Sequence, residues 1–123
     1  MAGNVVGTEI LGSLGYALVH LHTPLFVVLG HEKCGAVQAA LQAKFHGVRE
    51  QRKIGELVDA IVPALEGIAD DEAAWDRAVE ANVRYAVRQL AATPGGRDAL
   101  QTGRMRLVGA IYELATGKVR FLE

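Results

Sequence analysis

The run Leu25-Phe26-Val27-Val28-Leu29 is the stretch that most limits what this chain can become. Five apolar residues in a row, with valines at the centre and Gly30 behind them, predict a short strand buried on both faces. That is the pattern of a parallel sheet. A parallel neighbour has to be reached by a crossover. The next strand-like run is Leu107-Val108-Gly109-Ala110-Ile111-Tyr112, and the periodicity between the two is mostly helical, so the crossover is expected to be right-handed. The expected fold class is α/β, a mostly parallel sheet flanked by helices. His31 stands where the first strand ends and Cys34 where a helix opens. An imidazole and a thiol are thereby expected in the crevice outside the carboxyl end of a strand, where open α/β folds place their ligands.

The remaining elements follow from apolar spacing and from capping residues. Thr8 is expected to cap a helix carrying Ile10, Leu11, Leu14, Leu18 and Leu21 on one face. A second helix runs from Ala36 to about Phe45, with Gly47 as its stop. From Ile54 to Ile68 the helical period continues, and Pro63 should kink or divide it. Asp70 and Asp71 are expected to cap the longest helix, with Glu72 at the positive end of its dipole. Its buried stripe is Trp75, Ala78, Val79, Val83, Ala86, Val87 and Leu90, and Asn82 on the same side calls for a structural hydrogen bond. Thr93-Pro94-Gly95-Gly96 should break that helix, leaving one further turn over Arg97 to Gln101 that ends at Gly103. After the second strand, the turn Ala115-Thr116-Gly117-Lys118 returns Val119-Arg120-Phe121-Leu122 as a C-terminal antiparallel hairpin strand.

Two parallel strands and one hairpin partner make an incomplete sheet in a single chain. Unpaired backbone groups out of water cost about 1–3 kcal/mol each, so either a partner chain or residues before Met1 are expected to complete it. The chain length of 123 residues is that of one domain, 1–123. A formal net charge of -1 gives no electrostatic reason to expect nucleic acid or an anionic membrane. No apolar run approaches the roughly 18 residues of a membrane span, and Met1 does not open a secretory signal, so a cytoplasmic protein is expected. The single cysteine cannot form an internal disulfide. Cys34 is a buried thiol, a reactive thiol or a metal ligand.

Three blocks carry a resemblance. Ala2-Gly3-Asn4, Gly30-His31-Glu32-Lys33-Cys34-Gly35-Ala36-Val37, and Gly109-Ala110-Ile111-Tyr112-Glu113-Leu114-Ala115-Thr116-Gly117-Lys118-Val119 occur in this order. They resemble landmarks of the β-class carbonic anhydrases, over essentially the whole chain. The resemblance implies zinc-dependent, reversible hydration of carbon dioxide to bicarbonate. It also implies assembly as a homodimer or higher homo-oligomer. His31 and Cys34 match two of the family's three protein zinc ligands, while Gly3, Asn4 and Gly35 match positions beside the substrate pocket. The pairing of imidazole and thiolate suits zinc, and the start of a helix beside Cys34 favours the thiolate.

The third ligand of that family belongs to a Cys-x-Asp-x-Arg motif upstream of the Ala-Gly-Asn landmark. The resemblance therefore implies a chain short of the family's N-terminal part, which would also supply the strands that the sheet lacks. Catalytic residues beyond the metal ligands stay unassigned. The competing reading is a catalytically inactive or impaired domain of the same fold, with a structural or incomplete zinc site acting in assembly. Recruited ligands would come from His20, His22, His46 or Glu32, although the three histidines read more simply as surface or packing residues. A thiol enzyme with Cys34 as nucleophile and His31 as base is the third reading.

Overall fold

The computed structural model describes residues 1–123. Strand β1 spans Leu25–His31, β2 Arg106–Tyr112 and β3 Val119–Leu122. They form one sheet in the order β1-β2-β3, with β1 and β2 parallel and β2 and β3 antiparallel. The expected crossover and hairpin are both present. Helix α1 covers Thr8–Val19, α2 Gly35–His46, α3 Arg52–Ile61, α4 Ala74–Ala92 and α5 Pro94–Gln101. A 3-10 turn over Val62–Leu65, with Pro63 in its first turn, ends α3, as the proline requires.

Register determines which side chains meet the helices. Val28 pairs with Gly109, which pairs in turn with Leu122, and Gly30 pairs with Ile111, which pairs in turn with Arg120. These residues share the face on which α4 packs. A Cβ on Gly109 would stand 2.9 Å from Val83 Cγ1, and one on Gly30 would overlap Val83 Cγ2. The two glycines thus let α4 settle directly onto the backbone of the sheet. Val83, Ile61, Leu65 and Val37 are the largest side chains fully shielded from solvent, so the core lies between α2, α3, α4 and this one face.

The opposite face differs from expectation. Leu25, Val27 and Leu29 of β1 are exposed, as are Tyr112, Val119 and Phe121. The first strand is therefore not buried on both faces. An apolar run states that cover is needed, and these residues supply it on one side, from α4 and the N-terminal turn Ala2–Asn4. β1 is also an edge strand. Pro24 O accepts from Arg106 N and Glu32 N donates to Tyr112 O, so the even-numbered residues turn their backbone groups to β2 and the odd-numbered ones to the open edge. Beside that edge lies an apolar cavity of about 430 Å³ lined by Val5, Ile10, Leu14, Phe26, Val28 and Leu90, among others.

Three capping expectations are corrected. Gly7, not Thr8, is the N-cap of α1, and no side chain caps that helix end. The N-cap of α4 is Ala73, two residues beyond Asp71. Asp71 Oδ1 accepts from Ala73 N at 2.9 Å and so shapes the turn ahead of the helix, while Asp76 takes the favourable place at its positive end. The Arg77 guanidinium beside Asp71 holds that carboxyl below its ordinary range. Finally, Thr93-Pro94-Gly95-Gly96 breaks α4 but also begins α5. Thr93 Oγ1 accepts from Gly96 N at 3.0 Å, and Pro94 fills a first-turn position whose missing N–H costs nothing. No helix is long and apolar enough to cross a membrane.

Candidate metal centre

His31 is the last residue of β1 and Cys34 the N-cap of α2, so strand end and helix start hold the pair three residues apart, as the sequence predicts. The turn between them carries Lys33 at φ +52, a left-handed conformation that a lysine adopts only under constraint. Backbone and side-chain bonds supply that constraint. Glu32 N donates to Tyr112 O at 3.0 Å, and Glu32 Oε2 accepts from Leu114 N at 2.9 Å, tying the turn to the end of β2. The Glu32 carboxylate is thereby engaged with backbone. At the other side of the turn, Cys34 O accepts from Gln38 N at 3.0 Å and from Trp75 Nε1 at 3.1 Å.

The two candidate ligands differ in environment. Cys34 is buried, 5% exposed, among core residues. His31 is exposed, and its Nδ1 lies 2.9 Å from Glu32 O. A carbonyl can only accept, so this contact places the proton on Nδ1 and leaves the Nε2 lone pair free as a donor to metal.

Ala2–Asn4 form a 3-10 turn tied down at two points. Asn82 Nδ2 donates to Gly3 O at 2.6 Å from the buried face of α4, the structural bond that its position in the apolar stripe requires. Asn4, itself at φ +55, donates from Nδ2 to Leu29 O at 2.7 Å. Gly3 and Asn4 are thus held against the strand that ends at His31. Gly35 opens α2, and the place where its Cβ would lie is open space. His20, His22 and His46 are exposed, and His46 stands 4.0 Å from Asp70. Sequence reasoning missed two supports of the site, the Glu32 carboxylate on Leu114 N and the Trp75 indole on Cys34 O. The second had a signal, because an indole N–H on a buried stripe has to find an acceptor.

Imidazole and thiolate fit zinc in kind. They do not fit it in number, because nowhere in these residues do three or more His, Cys, Asp or Glu side chains gather closely enough to hold a metal ion. Half of a tetrahedron is present.

Comparison with known proteins gives a consistent picture. The family model described as carbonic anhydrase matches residues 1–119. Carbonic anhydrase 2 of Mycobacterium tuberculosis is 34% identical over 119 residues, covering 95% of this chain and 58% of that protein. A carbonic anhydrase of Mycolicibacterium smegmatis is 34% identical over 124 residues, covering 96% and 58%. The chain therefore spans a little over half the length of these relatives. Among solved structures, the Coccomyxa β-carbonic anhydrase in complex with acetazolamide superposes with a TM-score of 0.80 at 27% identity, over 98% of this chain and 58% of that one. Tetrameric β-carbonic anhydrases from Sordaria macrospora share the fold with a TM-score of 0.80 at 20% identity, over 96% and 61%.

Proposed function

The chain belongs to the carbonic anhydrase family, and from that premise we propose that it takes part in zinc-dependent, reversible hydration of carbon dioxide, with His31 and Cys34 as two of the metal's protein ligands. The observation that carries the proposal is the placement of these two side chains at a strand end and a helix N-cap, on a turn already braced from three sides. The chemistry a zinc ion supplies when bound is the acidification of a coordinated water to near neutral pH, which makes a nucleophile able to add to carbon dioxide.

The chain's own residues have definite tasks in this reading. His31 presents Nε2 because Glu32 O holds the Nδ1 proton. Cys34, the N-cap of α2, binds metal through its sulfur as the thiolate. Gly3 and Asn4, clamped by Asn82 and onto Leu29, form a wall beside the strand end where substrate would approach. Gly35 keeps the approach over the first turn of α2 free of side chain. The third protein ligand comes from outside these residues, on a further segment or a partner chain. An assembly is also favoured by the uncovered apolar residues Leu25, Val27, Leu29 and Phe121.

A second reading is favoured by the count of two donors: a catalytically impaired member of the family whose zinc, if bound, serves assembly. Zinc stoichiometry and stopped-flow carbon dioxide hydration, measured on the same purified sample, separate the two. The first reading expects bound zinc and a rate above buffer, both lost in His31→Ala and Cys34→Ser. Zinc at full occupancy with no rate would overturn it in favour of the second, and a chain that takes up no zinc would end both.

A further inference from the structure

We propose that Trp75 is a positioning residue for Cys34, its indole N–H acting as a strap that fixes the direction in which the thiol is presented. The inference rests on the reading of Cys34 as a metal ligand and extends it to a residue 41 positions away on another helix.

Cys34 joins a turn to a helix, and the orientation of its Cα–Cβ bond depends on the two peptide planes that flank it. One plane is set through Glu32 and the left-handed Lys33. The other ends in the Cys34 carbonyl, and here two donors converge: Gln38 N, which any α-helix would provide, and Trp75 Nε1, which only tertiary structure provides. Trp75 sits in the first turn of α4, half buried against the core. Its position is not independent of the rest of the site. Asn82 lies two turns further along the same helix and holds Gly3 O. One face of α4 therefore spaces the N-terminal turn and the Cys34 turn relative to each other, with Trp75 and Asn82 as its two points of attachment.

Support of this kind from beyond the ligands commonly matters 10–100-fold in metal affinity. The test removes the N–H and keeps the ring. Trp75→Phe is one route. Because Trp75 is the sole tryptophan, biosynthetic replacement by benzothienylalanine is a second that preserves shape, and it decides the matter if Trp75→Phe does not fold. Two readouts are taken. The first is the rate at which the metal-free chain's single thiol reacts with an aromatic disulfide reagent; a several-fold rise is expected when the strap is cut. The second is the thiolate-to-cobalt charge-transfer absorption on titration with Co²⁺, expected to show affinity lowered by about 10–100-fold. Unchanged thiol reactivity in a folded variant would overturn the strap. An intact protein that reacts as expected in the first assay yet shows no charge-transfer band would leave the strap standing and remove the metal-ligand reading of Cys34.

Discussion

Replacing Gly3 by alanine should destabilise the fold more than any ordinary surface substitution, and the structure says by how much and through which atom. Gly3 has φ +60, and an added Cβ would lie 3.2 Å from Ala36 Cβ and overlap Ile61 Cδ1. Ile61 is fully buried and cannot swing into solvent. Left-handed backbone costs alanine about 1–2 kcal/mol. Overpacking against a fixed core side chain adds about 1–3 kcal/mol, and the stiffer unfolded chain offsets about 0.4–1 kcal/mol of the total. The net loss is about 2–4 kcal/mol, a large part of the 5–15 kcal/mol on which a domain of this size survives, and it should lower Tm on the order of 10 °C. A double-mutant cycle isolates the contact. Ile61→Val deletes Cδ1 and alone costs about 0.5–1.5 kcal/mol. Combined with Gly3→Ala it should cost about 1–2 kcal/mol less than the sum of the singles, because the overlap is gone while the backbone penalty remains. Urea unfolding of the four proteins gives each value. Additivity within 0.5 kcal/mol, or a Gly3→Ala protein as stable as the parent, would refute the reasoning.

Other substitutions test other parts of the architecture. Asn82→Ala leaves Gly3 O without its buried donor and should cost about 1–3 kcal/mol by chemical denaturation. Gly30→Ala forces a Cβ against Val83 and should cost about 1–3 kcal/mol, with partial recovery in Val83→Ala. Glu80 is hydrogen-bonded and ion-paired to Arg84, with Arg120 adding its charge, and its carboxyl is held below the ordinary glutamate range. A depressed carboxyl stabilises the fold above the unfolded value, about pH 4.3, and the contribution is lost as pH falls through the depressed value. Glu80→Gln should therefore lower stability by about 0.5–1 kcal/mol at pH 7 and by nothing at strongly acidic pH. An equal Tm difference at both would contradict the assignment.

Local chemistry was the legible part of this chain. The end of β1 at His31, the left-handed stop at Gly47, the division at Pro63 and the hairpin at Gly117 each depend on residues a few positions apart, and the sequence carries them openly. Adjacent capping candidates were less readable. Thr8 and Gly7 compete for the same helix end, as do Asp71 and Ala73, and residues one or two positions apart carry no local signal that separates them. Burial was half legible: Leu25, Val27 and Leu29 read the same whether or not anything covers them. Of the site, the His31–Cys34 pair was visible as a motif. Its supports were not, since Trp75 meets Cys34 across 41 residues and Asn82 meets Gly3 across 79.

The parallel pairing of β1 with β2 has a kinetic consequence. Every pair in that ladder joins residues about eighty positions apart, and closing a loop of that length costs roughly 4 kcal/mol of chain entropy before any contact repays it. Helices α2 to α4 can form early, whereas the ladder forms late, a topology that folds slowly for its size. Until it closes, Leu25-Phe26-Val27-Val28-Leu29 is an unpaired, uncharged β-forming segment, the type that seeds intermolecular strands. Refolding yield should therefore fall steeply as protein concentration rises. A lysine at Val27, which points away from α4, should raise that yield without disturbing the core.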